Sequence, residues 1–153
     1  MNLDLSSRFG FLVNEVGRLY GRQFDQRARE ALGVSRAQCR LLAALAADRH
    51  ATPSQASLAE HLDLTPMAVK TLCDRMEAAG WIRRAPSTTD RRANHIVLQP
   101  KAQDALAAAI GIGDGLQAQA LGSLSAAERA QLMRLLTLVR SNLVKLGATV
   151  ETA

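Results

Sequence analysis

The sequence predicts a mainly α fold interrupted by one β-hairpin, and three observations carry that prediction. Apolar residues recur at three- and four-residue steps through most of the chain, the spacing of helices with one buried face. The exception is residues 81–99, where "WIRRA" and "NHIVLQ" read as short strands flanking a turn-rich "PSTTDRRA". The third observation is the span from Gln55 to Arg75, in which one short apolar helix gives way to another across a tight turn. A chain of 153 residues has room for one domain with a real core, or a small domain with helical arms. With aromatic residues at only 3%, that core must be built from Leu, Ala and Val.

Taken in order, Phe9, Leu12, Val13, Val16, Leu19, Tyr20 and Phe24 make residues 5–31 one long amphipathic helix. Gly33 is its stop, because glycine enters the left-handed conformation without steric penalty. Ser35 caps a second helix, "SRAQCRLLAALAAD", whose apolar side holds Cys39, Leu42, Leu45 and Ala46. "RHATPSQ" is a loop, and Ser54 or Ser57 starts a short helix around "QASLAEHL". After a turn at Asp63-Leu64, Thr65-Pro66 supplies an N-cap followed by proline at the first helical position. The helix "PMAVKTLCDRMEAAG" ends at Gly80. Beyond the hairpin, helix resumes from Lys101 to about Gln119, with "GIGDG" weakening its middle or end as a break or a close helix contact. Ser125-Ala126-Ala127-Glu128 is a capping box with Leu124 as its staple. Leu132, Leu135, Leu136, Val139, Leu143 and Leu146 stripe the last helix.

Composition narrows the function classes. A formal charge of +5 and a pI near 10.0 favour a polyanionic partner such as nucleic acid. No apolar run approaches the roughly 18 residues of a membrane-spanning helix, so no membrane role is expected. "MNLDLSSRFG" has an early acid and no continuous apolar stretch, unlike an export signal, which makes the cytoplasm the expected compartment. Cys39 and Cys73 lack metal-ligand spacing and are expected as reduced thiols. His50, His61 and His95 are scattered, so no metal is expected. "GIGDG" follows no strand and lacks the G-x-G-x-x-G spacing of a phosphate loop. With no nucleophile–base pair either, the chain reads as a non-enzyme without a cofactor.

Residues 55–75 have the spacing of a helix-turn-helix. Ala59 is the small residue where two helices cross, Leu62 and Leu64 straddle the turn, and Val69 and Leu72 face inward. Asp63 stands in the turn, where Asp tolerates a left-handed conformation better than most residues. The first helix must hold the second at a fixed angle so that its outer face can enter a major groove. A 100° step from Val69 puts Met67, Thr71 and Asp74 outward, with Lys70 and Arg75 on the flanks. The flanking cations suit phosphates, and Met67 and Thr71 are candidates for base edges. Thr65, Ala68, Ser54 and Gln55, at the starts of the two helices, complete the candidate DNA-binding set there.

A helix-turn-helix followed at once by a hairpin is a winged helix. Its tip carries Arg91 and Arg92, and a guanidinium on a thin loop can reach into a narrow minor groove. Asp90 braces that loop, and Arg83 and Arg84 at the strand base add backbone contacts. Each cluster taken alone could be a solvated face or turn. Their succession in one short stretch favours double-stranded DNA as partner.

At these residues the chain resembles the MarR-type winged-helix regulators, and within them the SlyA-like branch, over roughly residues 5–146. "DRRANHIVLQPKA" is similar to the family's wing signature: Asp90, Arg92 and Leu98 fit, Gln99 replaces the usual Thr, and Ala102 stands where Gly is commonest. "LCDRMEAAGWIRR" resembles the exit of the family's recognition helix at Asp74, Arg75, Glu77 and Gly80. The resemblance implies an obligate homodimer built by helices from both chain ends, residues 1–34 and 101–153, around a winged helix-turn-helix DNA-binding domain at 35–100. It implies a regulator on a pseudo-palindromic promoter site, a repressor first, or an activator that displaces another bound protein. It also implies that Arg92 enters the minor groove with Asp90 positioning it. A small, aromatic effector belongs to the family pattern, between the helical region and the wing domain. Cys39 departs from that pattern, since an aromatic residue bordering the effector pocket usually stands there. The rival class is a protein–protein adaptor that no longer touches DNA, against which the outward Lys70, Thr71 and Arg75 argue.

Overall fold

In the computed structural model, which describes residues 5–47, 53, 55–86 and 94–150, the elements follow the predicted order. Helix α1 (Phe9–Leu32) ends at Gly33, whose φ of 68° lets its N–H turn back to the Arg29 carbonyl. Helix α2 (Arg36–Ala47) begins with a reciprocal cap. Ser35 Oγ accepts from the Gln38 N–H at 3.3 Å, and Gln38 Oε1 accepts from the Ser35 N–H at 2.7 Å. Asp25 of α1 accepts the Arg36 N–H at 2.7 Å and Arg29 Nε at 2.7 Å, so a neighbouring helix satisfies one of α2's unpaired donors. That N–H, followed by the Arg29 guanidinium, holds the Asp25 carboxyl below the usual range.

Helix α3 (Gln55–Leu62) and helix α4 (Pro66–Ala78) are joined by a turn at Asp63. With φ at 55°, Asp63 is the one non-glycine residue with positive φ among the described residues. This is the left-handed turn that the helix-turn-helix spacing demanded. Thr65, extended at φ −70° and ψ 151°, caps α4 by accepting the Ala68 N–H on its hydroxyl at 3.2 Å. Gly80, at φ 71°, turns the chain into strand β1 (Ile82–Pro86). Strand β1 pairs antiparallel with β2 (Asn94–Leu98), from Ile82↔Leu98 to Pro86↔Asn94, and Gln99 N–H extends the ladder to the Trp81 carbonyl.

The main core lies beneath this arrangement. Leu41, Leu42 and Leu45 of α2 meet Leu58, Ala59 and Leu62 of α3, Val69, Cys73 and Met76 of α4, and Ile82 and Ile96 of the hairpin. Leu41, which the one-sided reading of α2 omitted, is fully buried, whereas Ala46 is half-buried. A smaller cluster of Ala28, Val34, Cys39 and Ala109 ties α1 and α2 to helix α5 (Pro100–Ala120), with Trp81 packed against both clusters.

Helix α5 runs unbroken through Gly111, Gly113 and Gly115, so the expected weakening of its middle does not occur. Each glycine in a helix interior costs about 1 kcal/mol relative to alanine. The buried Ala102, Ala105, Ala109 and Leu116 hold the helix against that cost. At Gly113 the alternative of a close contact applies: Tyr20 Oη donates to its carbonyl at 3.2 Å, and an added Cβ would stand 3.8 Å from the Phe24 ring.

The chain divides into two compact units, one up to Leu116 and one from Gln117 onward. In the second, Ser125 and Glu128 form the predicted capping box, with the Ser125 N–H donating at 2.8 Å and the Glu128 N–H at 3.3 Å. Helix α6 (Ala126–Val150) follows. Its Leu135, Leu136, Leu143 and Leu146 are exposed. No helix among the described residues is long and apolar enough to cross a membrane.

Candidate nucleic-acid interface

Helix α4 divides cleanly into two faces. Val69, Cys73 and Met76 are fully buried, with Leu72 packed behind them. Thr65, Met67, Ala68, Lys70, Thr71, Asp74 and Arg75 are exposed. The structure therefore brings six sequence-predicted residues onto one outward surface: Thr65, Met67, Ala68, Lys70, Thr71 and Arg75. Gln55 stands at the start of α3, half-buried. Lys70 Nζ lies 3.0 Å from Asp74 one turn on, whereas Arg75 is paired with no carboxylate among the described residues. Ser54, Asp90, Arg91 and Arg92, also expected at the interface, lie outside the described residues.

Arg83 and Arg84 look equivalent in sequence and are separated by the strand. Successive side chains of a strand point to opposite faces. Arg83 is exposed, while Arg84 turns back over α4 with its side chain only 20% exposed. Its guanidinium reaches Asp74 at 2.6 Å and Glu77 at 2.6 Å, and its backbone N–H donates to Glu77 at 2.7 Å. One arginine thus braces the root of the wing against two consecutive turns of α4. The Lys70 ammonium, followed by the Arg84 guanidinium, holds the Asp74 carboxyl below the usual range. For Glu77 the chief cause of the same downward shift is the Arg84 backbone N–H.

A second cation secures the other end of α4. Lys101, at the start of α5, donates from Nζ to the Ala79 carbonyl and lies over the Trp81 ring, 4.4 Å from its centroid. A cation at a helix C-terminus satisfies an otherwise unpaired carbonyl and complements the helix dipole. Sequence reasoning named neither Lys101 nor the Arg84 partners in these roles. A signal existed in Asp74 and Glu77, two carboxylates three residues apart on one helical edge.

Cys39 and Cys73 are both free and buried, and burial pushes both thiols up. They stay protonated, which suits packing rather than reactivity. Cys39 fills core space beside Phe24 and Trp81. Between α1 and the start of α2 lies a cleft of about 380 Å³, lined by Gly21, Arg22, Asp25, Arg29, Arg36 and Arg40 among others.

A helix-turn-helix with an outward polar face, followed by an antiparallel hairpin braced against it, is a winged helix. A MarR family model matches residues 32–93, from the end of α1 past β1, and over that stretch the chain is similar to that family. It is 36% identical over 81 residues to the transcriptional regulator HosA of Escherichia coli O127:H6 (strain E2348/69 / EPEC). That alignment covers 53% of this chain and only 60% of the relative's length. Among solved structures, the fold is shared with MepR of S. aureus in its DNA complex (TM-score 0.74, 22% identity, 92% of this chain and 99% of that one). It is shared too with the MarR family protein Rv2887 of Mycobacterium tuberculosis in complex with salicylic acid (TM-score 0.72, 24% identity, 90% of this chain and 99% of that one).

Proposed function

We propose that this chain binds double-stranded DNA as a homodimer and regulates transcription in the cytoplasm, by occupying a pseudo-palindromic promoter site. The observation that carries this reading is the outward face of α4, where Lys70, Thr71 and Arg75 stand clear of a fully packed inner face. HosA, a transcriptional regulator, and MepR, solved on DNA, support it by likeness. In this reading Met67, Ala68 and Thr71 meet base edges. Lys70, Arg75, Arg83, Thr65, Ser54 and Gln55 serve phosphates, and Arg91 and Arg92 on the wing reach the minor groove with Asp90 bracing the tip. Arg84 is assigned a different role from Arg83: it aims α4 rather than touching the duplex.

The homodimer reading rests on surplus apolar surface. Phe9, Leu12, Val16 and Leu19 on α1 are exposed, as are Leu135, Leu143 and Leu146 on α6. Exposed apolar stripes along whole helices are uncommon on a monomer. A second copy would cover it, with residues 1–34 and 101–153 as the dimer region and 35–100 as the DNA-binding domain. Two-fold symmetry then presents two recognition helices to successive major grooves. Repression is the simplest outcome of promoter occupancy. A small-molecule effector would act in the α1–α2 cleft. The salicylic acid complex of the mycobacterial protein supports a ligand of that size, although Cys39 offers no ring to stack on.

Titration of fluorescent duplexes from the DNA flanking the protein's own coding region, across a salt series, tests this reading. Log affinity should fall linearly with log salt, because several phosphates are neutralised. Arg92→Ala should weaken binding by ~1–3 kcal/mol with the dimer intact. A flat salt response would leave the adaptor as the better reading.

A further inference from the structure

For a surface that meets base pairs, the outward face of α4 offers few free hydrogen-bonding groups. At its leading end stands Met67, 71% exposed, with Ala68 beside it and Thr71 one turn on. Of the polar groups around them, Arg75 stands on the flank, while Lys70, Asp74 and Thr65 are engaged. Asp74 is joined to Lys70 and Arg84, and the Thr65 hydroxyl is held by the Ala68 N–H. No Arg, Asn or Gln lies between Met67 and Thr71, and Lys70, the one side chain there that could grip guanine, is paired with Asp74. What the helix presents there is a thioether methyl, an alanine methyl and a threonine methyl. The apolar group on a base edge in the major groove is the C5 methyl of thymine.

We propose that Met67, Ala68 and Thr71 read thymine methyl groups, so that each half-site is specified by thymines at the steps that this turn of helix crosses. The inference rests on the DNA-binding reading above and adds the chemistry of its target. Met67 and Thr71 are four residues apart, about 6 Å along the helix axis. The methyls they reach therefore lie within about two base steps, at roughly 3.4 Å per step. Methionine suits the task because its flexible, polarizable side chain adapts to an apolar partner of uncertain depth. Lys70 and Arg75, on the flanks, track the phosphates on either side.

The test begins with selection of duplexes from a random-sequence library by the full-length protein. Each thymine of the selected site is then replaced singly by deoxyuridine, which deletes the methyl and keeps the base pair. Two or three neighbouring positions per half-site should each lose about fourfold in affinity, the effect of one buried methyl. The penalty at one of them should vanish in Met67→Ala and at another in Thr71→Ser, which removes a methyl and keeps the hydroxyl. If a duplex is selected and bound, but uridine is tolerated at every position or its penalty persists in both variants, the methyl-reading proposal is wrong. If no duplex is enriched, the DNA-binding reading itself falls, and this inference with it.

Discussion

Thr65→Ala separates the stability of the recognition helix from its use. Proline at the first position of α4 has no N–H, and the Thr65 hydroxyl takes the Ala68 N–H at 3.2 Å. Losing an N-cap of this kind costs about 0.5–2 kcal/mol. The hydrogen bond is at the long end of the ordinary range and exposed, which places Thr65→Ala in the lower half, about 1 kcal/mol. For a chain of this size that corresponds to a fall in Tm of about 2–4 °C by calorimetry. The turn that frays is the one carrying Met67 and Ala68, so DNA affinity should fall by about fivefold per subunit, the equivalent of 1 kcal/mol. Thr65→Ser keeps the cap and should match the parent in both measurements. Thr65→Asp also keeps it, and its charge suits a helix N-terminus, so Tm should hold or rise. On DNA that same charge faces phosphates, and affinity in an anisotropy titration should drop well below that of the parent. A Thr65→Asp variant that binds as tightly as the parent would refute the placement of this helix end at the duplex. An unchanged Tm in Thr65→Ala would refute the cap energetics.

Arg84→Gln should weaken DNA binding yet leave the salt slope unchanged, because Arg84 braces α4. Arg83→Gln should instead lower the slope by about one unit, the signature of a lost phosphate contact; equal slopes for the two would overturn the division of roles. The Asp74 and Glu77 carboxyls are held below their usual range in the fold, so their contribution to stability is complete above the ordinary carboxylate pKa, near 4. It should be lost as pH falls through the depressed values, and thermal melts at low salt should show a steeper acid decline in the parent than in Arg84→Gln. Gly113→Ala should stabilise α5 by about 0.5–1 kcal/mol in urea unfolding, since the added methyl meets the Phe24 ring at an ordinary 3.8 Å. A destabilised variant would mean that the Tyr20 bond to the Gly113 carbonyl cannot coexist with a side chain there.

Much of this molecule is written in short-range chemistry. Helix ends are decided by groups within a few residues of each other, so Gly33, Ser35, Thr65-Pro66 and the Ser125–Glu128 box could be read directly and stand where they were expected. The turn at Asp63 was legible for the same reason: the spacing required a left-handed residue, and Asp is one of the few that tolerates it. The outward face of α4 followed from periodicity, because one buried valine orients every other position on a helix. Two things were not legible. "GIGDG" is poor helix by local propensity, and only packing along the buried Ala102, Ala105, Ala109 and Leu116 carries α5 through it. The roles of Arg83 and Arg84 were also undecided, since adjacent arginines have the same chemistry until a strand sends them to opposite sides. The sequence by itself determined the helices, their caps and the polar face that points outward. Only the tertiary structure decided that Arg84 binds Asp74 and Glu77 and that Lys101 closes the far end of α4, because those groups are distant along the chain and folding alone brings them within reach.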